Sequence, residues 1–106
     1  MGFLDNLFGT SHSEEELIQL IKDGAVLVDV RNPDEFAAGS VTGAINIPVD
    51  RIQQQASKLE KNDTIIVFCR TGNRSAQAKR LLEQKGFKKV INGGVWEEVQ
   101  ELKGQI

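Results

Sequence analysis

A chain of 106 residues fits one small domain with a modest core, and 40% hydrophobic with 26% charged residues is the composition of an ordinary globular protein. A net charge of -2 and the lack of a long basic stripe give no reason to expect a nucleic-acid partner. No apolar run approaches the roughly 18 residues of a membrane span, and a single cysteine excludes an internal disulfide.

The chain opens on Met1-Gly2-Phe3-Leu4-Asp5, without the basic start and long apolar centre of a secretory signal. Met1-Gly2 begins a myristoylation motif, but Asn6 stands where that motif has Ser or Thr. Phe3, Leu4, Leu7 and Phe8 make a brief amphipathic turn, so residues 1–12 are read as an N-terminal segment, docked on the body or frayed. A docking patch for a membrane or partner is the alternative reading of these residues, although no membrane partner is expected for the domain. His12 is expected to be exposed. A lone thiol fits a reducing compartment, so the expected location is the cytoplasm. One cysteine and one histidine are too few for a thiol-based metal site within one chain.

Ser13-Glu14-Glu15-Glu16 has the form of a capping box, and the helix it opens is predicted to reach about Asp23, with Leu17, Leu20 and Ile21 on one face and Gly24 as the stop. Ala25 to Val30 is nearly continuous in apolar residues, as a strand covered on both faces should be. Asn32-Pro33-Asp34-Glu35 starts a second helix, with Asn32 as cap and Pro33 in the first turn, and Gly39 ends it. Ala44 to Pro48 is a short strand. Asp50 is expected to cap a helix through Leu59 that turns Ile52, Ala56 and Leu59 inward. After a turn at Asn62-Asp63, Thr64 to Phe68 reads as a buried strand leading to Cys69. The next helix is predicted over Ser75 to Gln84, with Ala78, Leu81 and Leu82 facing the sheet and Gly86 closing it. Lys89-Val90-Ile91 is a strand, Gly93-Gly94 a turn, and Val95, Val99 and Leu102 mark a last helix. Strands alternating with helices predict an α/β domain, a central parallel sheet with helices on both faces.

The segment Cys69-Arg70-Thr71-Gly72-Asn73-Arg74-Ser75 carries the chemistry. It joins the carboxyl end of a buried strand to a helix start, which is where parallel sheets bind ligands. Loop N–H groups and the positive helix end would favour a thiolate and hold an anion. Arg70 and Arg74 bring positive charge, Gly72 allows a tight turn, and Ser75 offers a hydroxyl donor or a helix cap. A buried, inert core thiol is the bland reading of Cys69; its place at the strand end, beside Arg70 and a glycine loop, favours a nucleophile. Asp29 lies on the same sheet edge. It either holds the loop, through the loop N–H groups or Arg74, or makes a local turn or helix cap. Arg31 and Glu35 are expected to form a structural ion pair. Arg74 is open between substrate contact and loop anchor. Trp96 is expected in the core, and Lys85, Lys88 and Lys89 on a solvated surface.

Four segments together resemble the single-domain rhodaneses, a family of sulfurtransferases: Asp29-Val30-Arg31 with Glu35-Phe36; Gly39 to Pro48; the Cys69 to Ser75 loop; and Asn92-Gly93-Gly94 with Trp96. The resemblance implies a rhodanese-like domain over residues 13–106. It implies a persulfide relay, in which catalytic Cys69 takes sulfur from thiosulfate or another small anionic donor and an external thiol or cyanide removes it. A protein could serve as that acceptor. Arg70, Thr71, Gly72, Asn73, Arg74 and Ser75 would line the donor site, Asp29 would support the loop, and no cofactor or metal is called for. The alternative is a non-enzymatic module that binds partners or senses persulfide. The sequence departs from the family at Ser40, where histidine is frequent, and in the short Gly94 to Trp96 spacing. The Cys69 to Arg74 spacing is Cys-x4-Arg, one residue shorter than the Cys-x5-Arg of cysteine-dependent phosphatases, and makes a poor phosphate cradle.

Overall fold

The computed structural model describes residues 12–106. The Phe3, Leu4, Leu7 and Phe8 turn lies outside the described residues, and His12 is half-buried rather than exposed. Helix α1 (Glu14–Lys22) is opened by the expected capping box: the Glu16 N–H donates to Ser13 Oγ at 3.1 Å, and the Ser13 N–H donates to Glu16 Oε1 at 2.8 Å. Strand β1 (Val26–Asp29) follows, then α2 (Pro33–Ala38), where the Asn32 N–H donates to Glu35 Oε1 at 3.0 Å. After the two-residue strand β2 (Ile45–Asn46) come a short helical segment, strand β3 (Thr64–Cys69), helix α4 (Asn73–Gln84), strand β4 (Lys89–Val95) and helix α5 (Trp96–Gly104). The single α-turn of the segment after β2 is α3 (Ile52–Gln55). Among the described residues no helix is long and apolar enough to cross a membrane.

All strand pairs are parallel, in the order β2-β1-β3-β4. Side chains alternate across the sheet, so β3 splits its apolar run between two cores. Ile65, Val67 and Cys69 join Ala78 and Leu82 of α4 and Ile52, Ala56 and Leu59 of the short helical segment. Ile66 and Phe68 join Leu17 and Ile21 of α1 and Val99 and Leu102 of α5. Each fully buried side chain of this size contributes about 1.5–3 kcal/mol, and Ile65, Ile66, Val67 and Phe68 are all fully buried. This burial on both faces is why the run is continuous rather than alternating. It also fixes the direction of Cys69, toward α4.

Three elements differ from the sequence expectation. The helix expected from Asp50 to Leu59 is broken into a 3-10 turn (Val49–Arg51), the single turn α3, and a second 3-10 turn (Ala56–Lys58). Asp50 lies inside the first turn and caps nothing; the Arg51 N–H closes on the Pro48 carbonyl at 2.8 Å instead. Ile52, Ala56 and Leu59 are buried as expected, because their spacing suits linked short turns as well as one helix. Second, α4 begins at Asn73, which puts Ser75 inside the first turn and leaves Gly72 as its cap. Third, Gly93-Gly94 is not a turn but part of β4. Val67 pairs with Asn92 and Phe68 with Gly94, so Gly93 is the extra residue of a bulge. A Cβ on Gly93 would stand 2.9 Å from Ile66 Cγ2 and 3.1 Å from Val99 Cγ2, so side-chain crowding at the bulge calls for glycine here.

Candidate active site

Asp29 and Cys69 end adjacent parallel strands and so share the carboxyl edge of the sheet. Past Cys69 the chain must reverse into α4. It does so through Gly72, whose φ of 96° lies in the left-handed region where a side chain would be strained. That conformation aims the Gly72 N–H at Cys69 Sγ, 2.9 Å away, and the Ser75 N–H donates to the same sulfur at 3.4 Å. The Ser75 hydroxyl is also 3.4 Å from Sγ. Cys69 is fully buried. Burial alone would suit an inert core thiol, but two backbone donors and the first turn of a helix converging on one sulfur are an arrangement that stabilises negative charge there.

Behind the loop, Ser75 and Asn92 are both buried and bonded to each other. The side chain of Asn92 reaches from β4 to Ser75 Oγ at 2.7 Å and to the Gly72 carbonyl at 3.3 Å. In front of it, the Arg74 guanidinium grips Glu35 of α2 with both terminal nitrogens, at 2.8 and 3.3 Å. Arg74 and then the Asn32 N–H hold the Glu35 carboxyl down at about 2, and Glu35 in turn raises the Arg74 guanidinium. Arg70 is exposed and, among the described residues, forms no ion pair. It borders a groove of about 210 Å³ whose other walls include Gly39, Trp96 and Glu97. Thr71 and Asn73 are exposed. Among the described residues no group of three or more His, Cys, Asp or Glu is placed to hold a metal.

Residues 13–101 match the Rhodanese-like domain family. The chain belongs to that family. It is 39% identical over 69 residues to the thiosulfate sulfurtransferase PspE of Escherichia coli, covering 63% of this chain and 66% of that one. It is 38% identical over 66 residues to the putative sulfur carrier protein YrkF of Bacillus subtilis, covering 62% of this chain and 36% of that one. The chain thus spans about a third to two thirds of these curated relatives. The solved structure of the human single-domain sulfurtransferase TSTD1 superposes with a TM-score of 0.72 at 34% identity, covering 82% of this chain and 91% of that one.

Within this rhodanese-like domain the ionic contacts are distributed differently from the sequence expectation. The Arg31–Glu35 pair is absent. Arg31, almost fully buried, turns back on Asp29, donating from Nη2 to Oδ2 at 2.7 Å and from Nε to both carboxylate oxygens. The planar guanidinium fits a carboxylate two residues away, and buried Asp29 needs that partner more than half-exposed Glu35 does. Asp29 also accepts the Arg31 N–H and the Ser40 hydroxyl, both from its own side of the edge. It therefore takes the local-turn role left open by the sequence and makes no hydrogen bond to the cysteine loop. Ser40, the residue that departs from the family, completes this cluster. Trp96 is half-buried and carries the Arg31 guanidinium 4.8 Å above its ring. Asn92, which contacts the cysteine loop from β4, was not among the residues expected at the site. Its signal was a polar side chain following Val90 and Ile91 in a strand buried on both faces.

Proposed function

We propose that this rhodanese-like domain is a sulfurtransferase that moves sulfane sulfur through Cys69. The Cys69 thiolate attacks the outer sulfur of thiosulfate or a similar small anion. A carbon-free S–S bond of the donor breaks, and sulfite leaves with the bonding pair, so the enzyme holds a Cys69 persulfide. An external thiolate or cyanide then attacks the outer sulfur, and Cys69 departs again as thiolate. Each half-reaction balances without a proton donor or a redox cofactor, and the pair predicts ping-pong kinetics.

The observation that carries this reading is the pair of N–H donors, Gly72 and Ser75, on the sulfur of the chain's one cysteine at a helix start. The kinship with sulfurtransferases supports it. A protein acceptor is compatible with the same second step. The test is intact-mass measurement after thiosulfate treatment, followed by cyanide and assay of thiocyanate. The native protein should gain one sulfur and lose it to cyanide, and Cys69→Ser should do neither while keeping its fold. No gain of sulfur by the native protein, or sulfur transfer surviving in Cys69→Ser, would overturn the proposal; the former result would favour a partner-binding module.

A further inference from the structure

We infer that Asn92 is the positioning residue of the cysteine loop, fixing both residues whose N–H groups touch the Cys69 sulfur. Asn92 is 4% exposed and sits where β4, after the exposed Lys89, is otherwise apolar or glycine. A buried amide without partners is destabilising by about 1–3 kcal/mol, so its contacts explain its presence. The Gly94 N–H can only donate, and at 2.9 Å it fixes Oδ1 as the atom facing it. The same Oδ1 lies 2.7 Å from Ser75 Oγ, so the Ser75 hydroxyl is the donor in that contact. Nδ2 then points at the Gly72 carbonyl, 3.3 Å away.

Two consequences follow for the sulfur. The Gly72 carbonyl is held by Asn92 Nδ2 at 3.3 Å and by the Ala76 N–H at 3.0 Å, with Ser75 Oγ also 3.0 Å away, while the Gly72 N–H, on the preceding peptide, rests on Sγ. The Ser75 side chain is drawn toward β4, which seats the Ser75 N–H against the same sulfur. Its one hydroxyl proton faces two acceptors nearer than the sulfur, Asn92 Oδ1 at 2.7 Å and the Gly72 carbonyl at 3.0 Å, so the fixed donors to the sulfur are the two backbone N–H groups. Asn92 makes no hydrogen bond to Sγ, so it acts through Gly72 and Ser75. The bulge at Gly93 serves this arrangement, because it brings Gly94 back to the Asn92 amide.

This inference rests on the sulfur-transfer reading for its kinetic consequence, but its geometric content can be tested apart from it. The variants are Asn92→Ala and the isosteric Asn92→Asp, which keeps the acceptor toward Ser75 and Gly94 and loses the donor toward Gly72. In single-turnover loading with thiosulfate, followed by intact mass, the rate constant should fall about tenfold or more in both, since a misplacement of about an ångström can cost 100-fold. For Asn92→Ala the thiosulfate concentration at half-maximal rate should change less than about twofold. Asn92→Ala combined with Ser75→Ala should lose less than the product of the two single losses, because one residue acts through the other. The pH profile of Cys69 alkylation by iodoacetamide, whose midpoint reports stabilisation of the sulfur anion rather than access, should move to higher pH in both variants. Should Asn92→Ala fail to fold, the neutral Asn92→Ser, which cannot span to both Ser75 and Gly72, decides in its place, because Asn92→Asp also adds a charge near the sulfur. Native loading rates with an unmoved alkylation profile would overturn the inference, as would a loss confined to half-saturation. If the native protein takes up no sulfur, the sulfurtransferase reading fails and the alkylation profiles still decide this one.

Discussion

The Glu35–Arg74 bridge ties the first turn of α2 to the first turn of α4, so it braces the cysteine loop from outside. Replacing Glu35 by Gln removes the charge and keeps an acceptor for the Asn32 N–H. A carboxyl held at about 2 rather than 4.5 sets an upper bound of ~3.4 kcal/mol on its contribution to stability. The side chains of Arg74 and Glu35 are 33% and 26% exposed, and solvent and salt screen such a pair, so ~1 kcal/mol is the expected loss in Glu35→Gln. The carboxyl is depressed in the folded protein, so the folded state binds fewer protons than the unfolded chain between the two values. The contribution is therefore fully present above the unfolded value of 4.5 and is lost as pH falls toward about 2. Urea unfolding of native protein and Glu35→Gln checks this. The gap between them should be ~1 kcal/mol at neutral pH, narrow through the acid range, and close near the folded value. A gap that stays constant down to about pH 2, or none at neutral pH, would refute the reasoning.

Arg70→Ala should raise the KM for thiosulfate several-fold and flatten its dependence on salt, whereas Arg74→Ala should show mainly a loss of stability; steady-state kinetics across ionic strength decide, and the reverse pattern would return the substrate role to Arg74. Gly93→Ala should destabilise by about 1–3 kcal/mol, because its methyl meets Ile66 and Val99 inside the packed face; an unchanged urea midpoint would show that the bulge has room to give.

The parts legible in the sequence are those set by neighbours along the chain. The Ser13 and Asn32 boxes, the burial of Ile65 to Phe68 and the strand-end position of Cys69 depend on local pattern, and the structure has them. The arginine partners depend on chain folding: Arg74 meets Glu35 across 39 residues, and the choice between Asp29 and Glu35 for Arg31 turns on which carboxylate is buried. The Gly93-Gly94 pair misleads for a related reason. Two glycines are a turn signal, and only the register of β3 against β4 shows that the first is a bulge residue. The Asp50 helix misleads because apolar spacing records which face is buried and not whether the turns are continuous.

The distribution of charge at this edge bears on how a donor anion would be held. Three arginines come near it, but Arg31 is committed to Asp29 and Arg74 to Glu35. Each of those pairs is nearly neutral at a distance, and each fixes a segment: Arg31 with Asp29, Ser40 and Gly39 on one flank, Arg74 with α2 on the other. Of the three, Arg70 is the one without an ion pair among the described residues; it is next in sequence to Cys69 and exposed. At the sulfur itself the positive potential comes from the Gly72 and Ser75 N–H groups and the start of α4. Such dipoles are held by the fold and would need no reorganisation as charge passes from the Cys69 sulfur toward the departing group. They also sit in a buried site, where salt screens them little. The arrangement therefore divides two tasks. On the proposed reading, Arg70 would attract an anion from solution in a salt-dependent way, and the loop backbone would stabilise the sulfur in a way that depends on loop geometry. The two arginine pairs and Asn92 supply no reacting atom; the pairs fix the flanks of the loop, and Asn92 contacts the two residues whose N–H groups meet the sulfur.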